Sequence, residues 1–303
     1  MHIVTHDGPF HADDVFAVAL LEMAHKDINL VVSRTRDIDV INEADIAVDV
    51  GKQFQPAEGR FDHHQVDDPS QMSRMNGVPL ASTGMIWREY SPEVCQPYES
   101  THHLLFEGLD QELIEGIDAM DVGYDQPHDR FGTISEMITH FRPTYQEDVS
   151  MSDRFPDAVE FAKGVLKRYL RKLDAEHSSY ARIRNATQVM LRENYDALVL
   201  DEYVPWKKAL EESPFDNVAF VIHPKDDEWH IVQVPENPSS YEPKHFGFPQ
   251  NTQGLEGDGL KNEMDIQEAV FVHHTGFLGV SKTVESAIQM AQYAAKKAVE
   301  NMA

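Results

Sequence analysis

The chain has 303 residues, 41% of them hydrophobic, enough for a substantial core shared between two domains rather than one. Its 26 Lys and Arg stand against 52 Asp and Glu, a formal charge of −26 that repels a long polyanion and argues against extended duplex DNA as a partner. A single cysteine, Cys95, excludes an internal disulfide framework and agrees with a reducing compartment.

Taken in order, His2-Ile3-Val4-Thr5 reads as a short strand. It enters a His/Asp stretch at once, leaving no room for a secretory leader, and no run approaches the ~20 apolar residues of a membrane helix. A cytoplasmic protein without a membrane partner is the expectation. Residues 13–25 follow as a helix in which Val15, Ala19 and Met23 share a face. Then come a β-like run at Leu30 to Ser33, a short helix from Asp37 to Ala44, and a strand at Ile46 to Asp49 ended by Gly51. This β-α-β-α-β alternation predicts an α/β fold with a doubly wound, mainly parallel sheet. In such a sheet, ligands gather beyond the carboxyl ends of the strands, where His6, His11, Asp49 and then Asp62-His63-His64 would lie.

From Ser82 the pattern turns helical, over residues 83–90, about 98–120 and 157–192, the last a long polar stretch that could be an intramolecular connector or the arm of a homodimer. His102 and His103 fall among polar residues and read as surface. Three β-like runs follow, at 197–200, 218–222 and 230–234. A Pro/Gly/Asn/Ser-rich loop spans 235–258, a strand 269–272, and a closing helix begins at Thr283. The predicted division places a metal-binding domain with its helical connector at 1–193 and a smaller α/β substrate-binding domain at 194–303.

Imidazole nitrogens from His6 and His11 with carboxylates from Asp13, Asp49, Asp62 and Asp121 form an N/O set without thiolate. Such a set suits Mn²⁺, Fe²⁺, Co²⁺, Zn²⁺ or Mg²⁺. Two such ions ~3.5–4 Å apart clamp the attacking and leaving oxygens of an in-line phosphoryl displacement, so phosphate-ester hydrolysis is the favoured reaction class.

The chain resembles the DHH phosphoesterase superfamily and, within it, the melanocyte-proliferating-gene family, also described as metal-dependent protein hydrolases. The residues that carry the resemblance are Thr5-His6-Asp7-Gly8-Pro9-Phe10-His11-Ala12-Asp13-Asp14, Arg34-Thr35-Arg36-Asp37, Val48-Asp49-Val50-Gly51, Phe61-Asp62-His63-His64-Gln65, Ala81-Ser82-Thr83-Gly84, Ile117-Asp118-Ala119-Met120-Asp121, Pro205-Trp206-Lys207 and Phe271-Val272-His273 with Gly276-Phe277. Their joint order is specific, although each is short. The resemblance implies two divalent ions, Mn²⁺ first, held by His6, His11, Asp13, Asp49, His63 and Asp121, with Asp49 bridging and Asp118 as the alternative to Asp121. It also implies a substrate-facing His64 oriented by Asp62, the two histidines pointing to opposite sides of an extended segment. His273, Gly276 and Gly279 are similar to the superfamily's phosphate-binding loop, but this chain has Gly279-Val280 where relatives often carry Gly-Gly. Lys282, Arg34 and Arg36 could face substrate phosphates, and Trp206 with Lys207 could stack a base and hold a phosphate.

The expected activity is a two-metal phosphodiesterase, an exonuclease that releases mononucleotides from single-stranded RNA, DNA or short oligonucleotides. The alternatives are a pyrophosphatase-like hydrolase of a small phosphoanhydride or nucleotide, for which only Lys282 offers a cation near the loop, and a metal-binding scaffold without catalysis.

Overall fold

Ile3 and Val4, both β-branched and fully buried, begin the first strand of the structure, a computed structural model. It describes residues 1–65, 72–124, 132–192, 194–211 and 215–302, in two units, Met1–Asp174 and Ala175–Ala303.

The first unit opens as the alternation of the sequence predicts: β1 (His2–Thr5), α1 (Ala12–Ala24), β2 (Val31–Arg34), α2 (Ile38–Glu43) and β3 (Ile46–Val48). Two short strands, β4 (Phe54–Gln55) and β5 (Arg60–Phe61), complete a five-stranded sheet in the order β2-β1-β3-β5-β4. All neighbours are parallel except β4 and β5. The chain runs from β1 outward to β2 and returns past it to β3 on the other side, so the strand order reverses between β1 and β3. The crevice of such a switch point opens beyond Thr5 and Val48, the residues paired at the strand ends.

Helix α1 is buried from Ala12 to Leu21 on all sides, which explains a sequence apolar around its whole circumference rather than along one stripe. Around it pack α3 (Ser82–Cys95), α4 (His102–Leu109), α5 (Glu115–Asp121), α6 (Ile134–Thr139) and the first part of α7 (Met151–Arg184). Phe16, Leu20, Trp87, Leu109, Ile114 and Leu170 lie in this core. The helix expected over about 98–120 is instead α4 and α5, joined by a π-helical turn at Asp110–Ile114. That turn carries Asp110 to Arg74.

The long helix begins earlier than its sequence suggests and ends at Arg184, where Thr187, Val189 and Leu191 change from helical spacing to alternation and form β6 (Thr187–Arg192). The second unit continues with β7 (Tyr195–Val199), β8 (Val218–Lys225), β9 (Glu228–Gln233), α8 (Gly257–Met264), β10 (Ala269–Val272), β11 (Leu278–Ser281) and α9 (Val284–Met302). Its sheet runs β10-β11-β9-β8-β7-β6, with only β7 and β8 parallel. Strand β8 sends Phe220 and Ile222 to a core shared with α9, and Val218 and Val221 to another with Trp206, so it reads as a continuous apolar run. Among the described residues no helix is long and apolar enough to cross a membrane.

Candidate metal centre

Three neighbouring parallel strands, β1, β3 and β5, end side by side, and each is followed within two residues by a His or Asp that turns into the same crevice. After β1, His6 is buried, and its Nδ1 donates to the carbonyl of Asp7 at 2.8 Å. A carbonyl can only accept, so Nδ1 carries a proton, and Nε2 is the ring nitrogen turned toward the carboxylates, where a cation could take it. Ligating histidines are oriented in this way by a backbone carbonyl. Nε2 lies 3.5 Å from Asp14 Oδ2 and 3.3 Å from Asp49 Oδ2.

Asp49 follows β3 in the left-handed region, at φ +55°, and Gly51 and Lys52 take φ +96° and +55° directly after it. A non-glycine residue held there is strained, and Asp tolerates it better than most. The turn is fixed by the Asp49 N–H donating to the Phe61 carbonyl at 3.0 Å and the Lys52 N–H donating to Asp62 Oδ2 at 2.6 Å.

After β5, Asp62 Oδ1 accepts both the backbone N–H of His64, at 2.9 Å, and its ring Nδ1, at 2.8 Å. This local carboxylate turn folds the segment back on itself. Consequently His63 and His64 do not point to opposite sides as expected: their rings stack with centroids 4.1 Å apart. Even so they differ in environment, since the His64 side chain is 56% exposed and that of His63 only 10%.

Asp13 and Asp14 begin α1. Both oxygens of Asp13 accept backbone N–H groups at the start of α3, from Ser82 at 3.0 Å and Thr83 at 2.6 Å, where Ala81 at the N-cap position has no side-chain acceptor. Asp14 Oδ1 accepts the His11 N–H at 2.7 Å. From α5, Asp121 Oδ2 reaches His63 Nε2 at 3.3 Å. Asp118, the other candidate in that helix, turns away: it accepts the Gly84 N–H at 3.0 Å and pairs with Arg74 at 2.9 Å.

Three groups able to hold a cation result, each with ligand atoms within 4.8 Å of one another: His6, His11 and Asp14; Asp49, His63 and His64; Asp13, His63 and Asp121. The six residues expected as ligands all fall into these groups, together with His64 and Asp14, while Asp62 stands outside and orients its neighbour. Asp14 was not anticipated. The only hint was its adjacency to Asp13, and acidic residues in a first helical turn ordinarily complement the helix dipole.

Charge and burial conflict here. Burial, reinforced by the neighbouring Asp13, pushes Asp49 up to about 8. Burial with repulsion from Asp13 and Asp49 takes Asp121 up to about 8, and burial takes Asp14 up to about 7. His63 and His11 are lowered, chiefly by burial, whereas the hydrogen bond that His64 donates to Asp62 raises His64 to about 9. Asp14 Oδ2, Asp49 Oδ1 and His63 Nδ1 are buried without a hydrogen bond among the described residues. Buried polar atoms are rarely left so, and these three sit in mutually adjacent groups. Divalent cations fit this donor set: they supply the missing partners and relieve the carboxylate repulsion.

The expected phosphate contacts are arranged differently. Arg34 does not face solvent: only 3% of its side chain is exposed, NH2 donates to the Gly8 carbonyl at 2.9 Å, and the guanidinium lies 4.7 Å from the Phe155 ring centre. Arg36 is exposed, 3.6 Å from Asp7. Trp206 is 3% exposed and belongs to the core of the second unit, which removes it as a stacking platform. Also in the second unit, His273 Nδ1 meets Thr275 Oγ1 at 2.9 Å, and Gly276, at φ +76°, closes the turn between β10 and β11. Lys282 pairs with Glu228 at 2.6 Å. A Cβ on Gly279 would lie 2.5 Å from the Phe248 ring, so this glycine serves close packing.

Residues 2–295 match the sequence profile of the family described as Uncharacterised protein family (UPF0160). The chain is similar to the MYG1 exonuclease of Homo sapiens, 28% identical with 96% of this chain and 84% of the relative covered. It is likewise similar to a MYG1 protein of Saccharomyces cerevisiae, 28% identical with 96% and 94% covered. A solved structure of RecJ from Thermus thermophilus in complex with Mn²⁺ aligns with 97% of this chain and 52% of its own at 13% identity and a TM-score of 0.26, too distant a likeness to carry an inference.

Proposed function

This chain belongs to the uncharacterised protein family UPF0160, and from that premise we propose that it is a divalent-metal-dependent phosphodiesterase, an exonuclease that releases mononucleotides from single-stranded RNA or DNA ends or short oligonucleotides. The carrying observation is the set of three buried ligand atoms that make no hydrogen bond among the described residues, Asp14 Oδ2, Asp49 Oδ1 and His63 Nδ1, gathered beyond the carboxyl ends of adjacent strands. The mammalian relatives named as exonucleases support nucleic-acid ends as the substrate.

Two ions held by His6, His11, Asp13, Asp14, Asp49, His63 and Asp121, with Mn²⁺ the first choice, would supply water activated at neutral pH and neutralise the phosphoryl oxygens. The protein's own residues supply the rest. Asp49, placed between the His6 and His63–His64 groups, gives each of them a carboxylate oxygen. His64 is held by Asp62 through Nδ1, which leaves Nε2 on a ring more than half exposed. The imidazolium favoured by Asp62 can donate a proton or hydrogen bond there to a phosphoryl or leaving oxygen. The net charge of −26 disfavours a long duplex but not a short single strand guided to local cations.

The deciding experiment is product analysis of 5-mer RNA and DNA, with pyrophosphate in parallel, in Mn²⁺ or Mg²⁺, using the wild type, Asp49→Ala and His64→Ala. Stepwise mononucleotides that vanish in Asp49→Ala and fall by roughly 10²–10⁴ in His64→Ala are expected. Intact oligonucleotides beside consumed pyrophosphate would move the protein to the small-phosphate hydrolases. No turnover with metal bound would make it a scaffold.

A further inference from the structure

A cavity of about 420 Å³ opens directly beside the metal groups, since His11, Asp13 and Asp121 form part of its wall. That volume lies in the range of small-molecule pockets, roughly 300–1,000 Å³, and is of the order of one nucleoside. The rest of the wall is contributed by Ala12 of α1, by α5, by α6 and by Arg142 after α6, and of these only Asp121 belongs to a metal group. Its chemistry is divided. Met120, half-buried, offers an apolar surface against which a planar ring can lie, backed by the buried Ile117. Glu136 and Thr139, one helical turn apart, offer acceptors: Glu136 Oε2 takes the Gly132 N–H at 2.7 Å and leaves Oε1, while Thr139 Oγ1 donates to the Glu136 carbonyl at 2.7 Å and keeps its lone pairs.

Among the described residues, Arg142 is the one Lys or Arg in this wall. It is fixed by donating Nε to the Phe10 carbonyl at 2.8 Å, with NH2 on the same oxygen. A cation locked beside His11 next to an acidic centre suits a ligand that brings its own negative charge. Apolar face, acceptors and cation thus line one wall, the three chemistries that complement a nucleotide's base, base-edge N–H groups and phosphate.

We propose that this cavity seats the terminal nucleoside of the substrate, with the base against Met120, its N–H edge toward Glu136 and Thr139, and the scissile phosphate at the mouth between Arg142 and the metal groups. This rests on the exonuclease reading and sharpens it: a pocket of one-nucleoside size beside the reacting phosphate favours a chain end over an interior linkage. The segment 134–142 is then the specificity wall of the enzyme, although nothing in its sequence marks it as such.

The test uses the full-length, Mn²⁺-loaded protein and two sets of 5-mers that differ only in whether the terminal sugar to be released carries its base. The wild type should cleave the base-bearing end at least 10-fold faster in kcat/KM than the abasic one. Thr139→Trp, which fills the cavity from α6, should bring that ratio close to one. Should Thr139→Trp fail to fold by circular dichroism, Met120→Ala takes its place, with the ratio expected to fall at least threefold. A wild-type ratio near one overturns the proposal, as does a high ratio that survives in a folded variant, because the base is then held elsewhere. If no oligonucleotide is cleaved, the exonuclease reading itself fails. The cavity is then judged by equilibrium binding of adenosine 5′-monophosphate against ribose 5-phosphate: tenfold tighter binding of the nucleotide, abolished by Thr139→Trp, supports the base seat, and equal binding overturns it.

Discussion

Asp13 and Asp14 are sequence neighbours whose carboxylates face different neighbours. Asp13 commits both oxygens to the N–H groups of Ser82 and Thr83, whereas Asp14 commits one to His11 and leaves Oδ2 buried without a hydrogen bond. Removing Asp14 therefore removes a donor whose loss metal affinity should feel most. In Asp14→Ala we expect one of two metal equivalents to be weakened by ten-fold or more, while Asp118→Asn, whose carboxylate serves Gly84 and Arg74, retains both. Titration calorimetry with Mn²⁺ checks this, and equal affinities in the two variants would contradict the assignment. The convergence of His6, His11, Asp49 and His63 was legible in the sequence because His6, Asp49 and His63 lie just past strand ends and His11 closes the turn that follows the first. Asp14 was not, since a second acid at a helix start has an ordinary local explanation. Nor was the inward turn of Arg34, which depends on Phe10 and Phe155 meeting in three dimensions. Cys95 gives a second test at this scale. Burial pushes its thiol up to about 12, whereas an unfolded chain ionises it near ~8.5. A raised folded-state value means that the stability owed to the neutral thiol is complete below ~8.5 and declines as pH climbs from there toward 12. Iodoacetamide at pH 7.5 should accordingly modify the native protein far more slowly than the urea-unfolded chain, read by mass spectrometry.

At the scale of elements, the start of α3 is held by groups distant in sequence. Asp13 caps it from α1 and Asp118 from α5, and Asp118 is in turn paired with Arg74, which also reaches Asp110 at 2.6 Å. Asp118 is fully buried and the Arg74 side chain only 6% exposed, so the pair cannot be treated as a surface ion pair. Truncating one partner leaves the other charge buried alone, which costs roughly 3–5 kcal/mol. Arg74→Ala should show a loss of that order in urea denaturation, and Arg74→Ala with Asp118→Asn should lose less than the two separate changes added together. A loss under about 1 kcal/mol would show that water replaces the guanidinium. Gly84 reports the same contact sterically, because a Cβ there would sit 2.0 Å from Asp118 Oδ2. The elements themselves were legible where period was strong: β1 to β3 with their two helices, and α9. They were not where tertiary contacts overrode local pattern. The residues of β6 read as a continuation of the long helix, because their alternation is completed only by pairing with β7. The short α6 is set by its Thr133 cap and by packing on α1, and it offered too few turns for periodicity.

Across the whole molecule, an excess of 26 negative charges meets a first unit that buries several carboxylates beyond three strand ends. The folded, metal-free chain bears the repulsion and desolvation of this arrangement, and the unfolded chain, whose carboxylates are solvated, does not. A cation that binds only the folded state therefore stabilises it by mass action, about 2.7 kcal/mol at a free concentration one hundred times its Kd. The protein's division into two units makes the location of that effect testable. The groups belong to residues 6–121, and the second-unit candidates His273, Gly276 and Lys282 have partners of their own in that unit. With Mn²⁺ in place of chelator, hydrogen exchange should slow in peptides covering the residues after β1, β3 and β5 and the starts of α1 and α3. Peptides of β8, β9 and α9, whose cores contain none of these groups, should change little. Protection spread equally over both units would mean that the cation acts on the chain as a whole, and would remove the reason to place its site among His6, Asp14, Asp49 and His63.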